Sequence, residues 1–198
     1  MAGGERAASL YPHGLGWLKT ALFSADSEVF DTGAELRALR ETRRDIGAVV
    51  CFEGVCRDSH LEQGAASADV QAMELEHYPG MTEKSIVAMV AEAQSRWPLL
   101  GVVVIHRVGR LLPGDPIVLV LVASAHRAAA FCAGEFLMDY LKTQAPFWNK
   151  ETTTLSPAWV DARERDDTAL QRWGIDARNA STGQPAGSGL RWSGTLGR

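Results

Sequence analysis

Val102-Val-Val-Ile-His-Arg-Val108 and Ile117-Val-Leu-Val-Leu-Val-Ala123 are two β-branched, apolar runs separated by Pro113-Gly114-Asp115. β-Branched side chains favour a pleated backbone, and Pro-Gly-Asp is a turn signal typical of antiparallel neighbours. The pair predicts the middle of a mixed or mostly antiparallel sheet.

Outward from that pair, both flanks change period from two to about four. On the N-terminal side Ile86, Val90, Ala93 and Trp97 recur at helical spacing after Pro79-Gly80, and Pro98 stops the helix. On the C-terminal side Ser124 to Gln144 reads as a helix, with Cys132, Phe136 and Tyr140 on one stripe and Pro146 forcing the end. Further upstream, Gly47 to Val55 is apolar on both faces, the mark of a strand buried on both sides. Val70 to Tyr78 alternates Met73, Leu75 and His77 against Glu74 and Glu76, a half-exposed strand that would pair with the preceding one like a hairpin. Lys19 to Ala25 reads as a first short strand, and Asp31 as the cap of a helix turning Leu36 and Leu39 inward. No glycine-rich phosphate loop follows a strand, which disfavours a doubly wound nucleotide fold; the class is α+β.

A chain of 198 residues with 46% hydrophobic content closes one substantial core rather than two. The expected division is a flexible leader at 1–18, one domain over 19–173, and a Gly/Ser/Pro-rich flexible tail at 174–198, whose composition does not repay the entropy of ordering. A net charge of -4 argues against a nucleic-acid binder, which needs a basic excess to displace counterions. The longest apolar run, 117–123, is far short of the roughly 20 residues that span a bilayer. Three cysteines without metal-type spacing, and no secretory leader, point to a reducing cytoplasm.

The charged residues that interrupt this framework are few. His126 and Arg127 stand where a helix begins and its free amides favour an anion; Lys142 stands in the last turn of the same helix, and Arg57 just beyond a strand. Taken singly, each reads as an ordinary solvated residue. Glu53 reads as a hydrogen-bonded strand residue, His77 and His106 as core or edge histidines, Trp97, Trp148, Trp159 and Trp173 as packing groups, and Cys56 as an unactivated thiol.

Together with their neighbours they resemble a known family. Gly47-Ala-Val-Val-Cys-Phe-Glu-Gly-Val-Cys-Arg57, Leu75-Glu-His-Tyr-Pro-Gly-Met-Thr-Glu-Lys84, Val104-Ile-His-Arg-Val-Gly-Arg110, Ser124-Ala-His-Arg127, Met138-Asp-Tyr-Leu-Lys-Thr-Gln-Ala-Pro-Phe-Trp148 and Trp159-Val-Asp-Ala-Arg163 are similar to the molybdopterin synthase large subunit, in consistent order over about 19–173. The resemblance implies an α/β hammerhead-like fold and a sulfurtransferase that converts cyclic pyranopterin monophosphate to the dithiolene-bearing molybdopterin, for molybdenum cofactor synthesis. It implies that two sulfurs come from the C-terminal Gly-Gly thiocarboxylate of a small ubiquitin-like subunit, within a heterotetramer built on a homodimer, with no cofactor and no metal. By position it also implies a substrate-binding set of Val55, Cys56, Arg57, His126, Arg127, Lys142, Asn149, Lys150, Glu151 and Arg163, with Lys142 and Lys150 as the catalytic pair. The chemistry agrees, because precursor and sulfur-carrying tail are both anionic and guanidinium forks suit them. An amine among cations such as Arg57 and Arg127 is more readily neutral, so Lys142 serves as nucleophile or as acid/base; the residues leave both roles open.

The chain departs from the family at Asn149, where a second functional lysine is usual and where Lys150 follows one residue later. Three outcomes stand: Lys150 substitutes, Asn149 suffices with reduced turnover, or the chain is a catalytically weakened scaffold that binds the small subunit. In an extended segment adjacent side chains face opposite ways, so only a loop lets Lys150 substitute. Sixteen residues separate His126 from Lys142, roughly 24 Å along a helix, so a shared pocket requires a second copy of the chain.

Overall fold

A computed structural model describes residues 7–13, 16–24, 29–41, 43–58, 70–145, 147–153, 157–160 and 172–174, with the backbone alone at 7–24, 70, 148–153 and 157–160. The elements run β1 (Ala7–His13), β2 (Gly16–Ser24), α1 (Thr32–Glu41), β3 (Ala48–Val55), β4 (Val70–His77), α2 (Met81–Arg96), β5 (Leu99–Leu111), β6 (Pro116–Ser124), α3 (Arg127–Thr143), β7 (Phe147–Thr153) and β8 (Pro157–Val160).

β5 holds the sheet together. Over Gly101–Val108 it pairs in parallel with β2, and over Leu99–His106 antiparallel with β6. Its last three residues, Gly109 to Leu111, pair antiparallel with β4, which carries β7 and then β8. Gly109 sits at the junction with φ 95°, a left-handed conformation that costs a glycine little and lets the strand change partners. All strand pairs except β2 with β5 are antiparallel, so the sheet is mixed and mostly antiparallel, as expected.

The two apolar runs are buried on both faces because helices cover both. Val102, Val104, Val118, Val120 and Val122 point toward α2 and α3 and pack with Val90 and Phe136; Val103, Ile105, Leu119 and Leu121 point the other way, toward Leu39 of α1. Period-two alternation within an uninterrupted apolar run thus feeds two cores at once. α1 starts as expected, with the Asp31 carboxylate accepting a bond from Ala34 N at 3.0 Å. α2 has half a capping box: Glu83 reaches back to accept from Gly80 N at 2.5 Å, while Gly80 has no side chain to reciprocate.

Several expectations are corrected. β3 is not buried on both sides; among the described residues it pairs only with β6, and Cys51, Phe52 and Glu53 are exposed, Glu53 accepting a bond from Thr32 Oγ1. Hydrophobic patterning registers the need for cover and is blind to whether the same chain supplies it. The β3–β4 hairpin does not form: the intervening stretch is too long for a hairpin loop, β3 pairs with β6, and β4 pairs with β5 and β7. Within the stretch read as a loose leader, β1 pairs with β2, and β2 starts at Gly16 rather than Lys19; a backbone ladder needs no apolar periodicity. Cys132 is exposed, and the inward stripe of α3 is Ala130, Ala133, Phe136, Leu137 and Leu141. Residues 175–198, which include most of the expected tail, lie outside the described residues.

Gly134 lets α3 settle on β3, since a Cβ there would stand 3.2 Å from Val50 Cγ1. Gly134→Leu is expected to lower stability by about 1–3 kcal/mol through overpacking, read as a lower urea midpoint; an unchanged midpoint would mean that the helix does not rest on this contact.

Candidate functional site

Arg57 is carried on a braced corner. β3 ends at a bulge between Gly54 and Val55, after which Cys56 N donates to Asp115 O at 2.9 Å and Gly114 N donates to Cys56 O at 2.8 Å. The turn is closed by Asp115, whose carboxylate accepts from Leu112 N at 2.9 Å and whose own N–H donates to Leu112 O at 2.9 Å. Cys56 is buried by this docking, whereas Val55 and Arg57 on either side are exposed. The buried thiol donates to the Arg57 carbonyl at 3.8 Å. A second guanidinium lies at the same corner, unanticipated: Arg107 is buried and donates through Nη1 to Pro116 O at 3.1 Å. The available signal was an arginine inside an apolar strand, a position an unpartnered charge does not occupy.

The cations of α3 are set by its two ends. His126 is the N-cap in extended conformation, its N–H held at 3.4 Å by Ser124 Oγ, which in turn donates to Pro98 O at 2.9 Å. No side chain caps the helix and its first turn has no acidic residue, so exposed His126 and Arg127 stand beside free amides, an arrangement that favours an anion. At the other end Lys142 is exposed, one residue before buried Thr143, which anchors the last turn by donating to Asp139 O at 2.7 Å.

The register shows how these ends lie against the sheet. Ala48 pairs with Ser124, so the N-terminal end of α3 lies where β3 begins, and Gly47 N donates to Ser124 O at 3.1 Å. The chain leaves α3 at the other end: Phe147 stacks on His106 with ring centroids 4.0 Å apart, His106 pairs with Val118, and Val118 pairs with Gly54. Lys142 therefore shares its end of the sheet with Cys56 and Arg57. His126 and Arg127 are at the opposite end, roughly 23 Å away along a strand of that length.

β7 answers the question of segment shape. Residues 147–153 are a strand in which Asn149 pairs with Leu75 and Val160, Lys150 with Glu74 and Trp159, and Glu151 with Met73 and Ala158. Cross-strand partners share a face, so position 149 lies on the face of buried Leu75 and of Phe147, and position 150 on the face of exposed Glu74. Arg163 lies outside the described residues.

His106 supports this strand from below. It is buried, its Nδ1 donates to Arg107 O at 2.8 Å, and burial, assisted by nearby His77 and opposed by that hydrogen bond, pushes its pKa down to about 4. It is the core histidine expected of such a strand position.

Residues 25–144, more than half of the chain, match the family described as MoaE protein. The chain is 57% identical over 152 residues to the molybdopterin synthase catalytic subunit of Ralstonia nicotianae, covering 77% of this chain and 84% of that protein. To the protein of the same name from Escherichia coli it is 54% identical over 144 residues, covering 73% and 92%. Among solved structures, a molybdopterin biosynthesis MoaE protein from Burkholderia ambifaria superposes with a TM-score of 0.64 at 52% identity, covering 78% of this chain and 97% of that one. Molybdopterin synthase from Staphylococcus aureus does so with 0.60 at 29% identity, covering 71% and 95%.

The His106 shift implies a pH-dependent stability. Its neutral form is favoured in the fold, so the full contribution is present above the unfolded value of 6.5 and is lost as pH falls from there toward about 4, where the folded protein also takes up the proton. Thermal melts should show the melting temperature falling across that window, with an upper limit of about 3 kcal/mol from this group. His106→Phe, which keeps a ring against Phe147, should flatten the slope; an unchanged slope would assign it to other groups.

Proposed function

The chain belongs to the MoaE family, and on that footing we propose that it is the catalytic subunit of a molybdopterin synthase, acting in molybdenum cofactor biosynthesis. It converts cyclic pyranopterin monophosphate to molybdopterin by taking one sulfur from each of two thiocarboxylated Gly-Gly tails of a small ubiquitin-like partner, each tail leaving as a carboxylate once its acyl group has passed to water. The observation that carries the mechanism is the division of cations: Arg57 and Lys142 at one end of β3, His126 and Arg127 at the other.

In this reading one pocket takes Arg57 and Lys142 from one copy and His126 and Arg127 from a second. The surface between the two ends supports a homodimer, in which α3 turns Arg127, a 64% exposed Phe131 and Glu135 outward, beside β3, which among the described residues has one strand partner, with its 40% exposed Phe52. A twofold copy laid there covers apolar surface and carries its own His126 and Arg127 toward the first copy's Lys142. Arg57 and Arg127 clamp phosphate and thiocarboxylate oxygens by bidentate hydrogen bonds. The free amides at the α3 start add anion stabilisation without a proton to lose. Val55 and Cys56 wall the corner, Arg163 completes the basic lining, and Lys142 is the amine that attacks the tail or moves the proton during carbon–sulfur bond formation. The assembly is a heterotetramer with one small subunit at each distal end of the dimer.

The strand register weighs on the roles at 149–151. By register, positions 149 and 151 share the face of Leu75 and Met73 while position 150 lies on the face of Glu74, and an asparagine is able to donate hydrogen bonds but carries no charge. This supports catalysis by Lys142 with Asn149 beside it over replacement of the family lysine by Lys150. A scaffold that binds the small subunit without turnover is the second reading, favoured by the same asparagine.

With thiocarboxylated small subunit and cyclic precursor, Lys142→Ala is expected to lower turnover by roughly 10²–10⁴-fold. Molybdopterin formation by the unaltered chain decides against the scaffold. Mixing Arg127→Ala with Lys142→Ala chains should restore roughly a quarter of the activity, since half the dimers are mixed and each has one intact pocket; no recovery would rule out the shared pocket.

Asn149→Lys is expected to preserve or raise turnover, and Lys150→Ala to cost far less than Lys142→Ala. Equal losses in the two alanine variants would make Lys150 the substitute.

A further inference from the structure

Asp139 lies three residues before Lys142 on α3, and residues three apart on a helix face each other across about 5–6 Å between Cβ atoms. Left to themselves, a carboxylate and an amine at this spacing form an ion pair. Among the described residues no such pair joins them, because the Asp139 carboxylate, with 16% of the side chain exposed, is occupied from another direction. Its Oδ2 accepts from Arg172 Nη2 at 2.6 Å and from Trp173 Nε1 at 2.8 Å. Arg172 also reaches Glu135, one turn earlier on α3, at 2.9 Å.

The segment that supplies these donors is itself pinned. The Trp173 ring packs edge-on against Trp97 at 5.7 Å and Phe136 at 5.6 Å between centroids, and its carbonyl accepts from Arg96 Nη1 at 2.8 Å. Arg96 in turn pairs with Glu92 at 2.7 Å. Aromatic packing fixes where the indole N–H points, and Arg172 supplies the charge that neutralises Asp139.

We propose that Arg172 and Trp173 are positioning residues that hold Asp139 away from Lys142, leaving the amine without an intrahelical counter-ion and available to the anionic reactants. The proposal rests on Lys142 being the reacting amine, as argued above. The physical point is competition: a lysine paired with a neighbouring carboxylate has its hydrogen bonds and charge already engaged, while one whose neighbour is held elsewhere is free to meet an anionic reactant. A clamp of this kind also explains why an acidic residue is tolerated one turn from the reactive position, where it would otherwise repel a thiocarboxylate.

The test uses the full chain and reads the Lys142 amine directly, by NMR titration of isotopically labelled, dimethylated lysines, with Lys142→Arg identifying the signal. In Arg172→Met the Lys142 midpoint is expected to rise by about half a unit to one unit as Asp139 turns to it, with a smaller rise in Trp173→Phe, which keeps a ring and loses the donor. In the double variant Arg172→Met/Asp139→Asn the midpoint returns to the starting value. In the sulfur-transfer assay the amine-governed limb of the pH–kcat profile should move with it. An unmoved Lys142 midpoint in Arg172→Met, with only a lower melting temperature, overturns the proposal and leaves the clamp as packing. Sulfur transfer that survives Lys142→Ala would instead refute the function of Lys142, an outcome the NMR titration does not depend on.

Discussion

The structure depends on β5 being satisfied from every side. Its backbone is paired to β2, β6 and β4, and its side chains are buried toward α2 and α3 on one face and α1 on the other. A strand in that position disfavours polar side chains in its middle and free backbone groups, which is why Val102 to Ile105 is an unbroken β-branched run and why the change of partner falls on a glycine. The buried Arg107 and His106 near the end of the run are each held by a backbone carbonyl.

From this constraint follows the layout of charge. β6 returns antiparallel along β5, and α3 then folds back across β6 and β3, so one helix runs from one end of the sheet to the other. A helix on such a course delivers its N-terminal amides, His126 and Arg127 to one end and Lys142 to the other. The turn that reverses β5 into β6 simultaneously docks Cys56, placing Arg57 at the Lys142 end. The separation of the two cation groups is thus a consequence of sheet topology, and the exposed Phe52 and Phe131 belong to the surface between them.

The central strands, α2, α3 and the α1 cap were legible because each leaves a local mark: a period, a stop at proline, or a capping side chain. Ile86, Val90 and Ala93 are buried where helical spacing put them, and Asp31 caps where a short acceptor precedes a helix. β3 misled because an apolar run records side chains that favour cover and not how much of them the fold encloses, so that Cys51 and Phe52 stay exposed. β1, β7 and β8 left no mark, since a ladder is closed by backbone groups that every residue possesses. Arg57, His126, Arg127 and Lys142 could be named as candidates from resemblance and residue type, while the bonds of Arg172 and Trp173 to Asp139 could not, because the partners lie far apart in the chain.

By itself, then, the sequence determined the class of fold, the helix limits and the identity of the cationic residues, all of which follow from near-neighbour sterics, periodicity and motif. The tertiary structure decided which end of the sheet each cation occupies, which face of β7 receives Asn149 and which Lys150, and which groups take up the Asp139 carboxylate. Those are matters of register and of contacts between residues dozens of positions apart, and a one-residue shift in pairing, invisible to composition and period, exchanges every face.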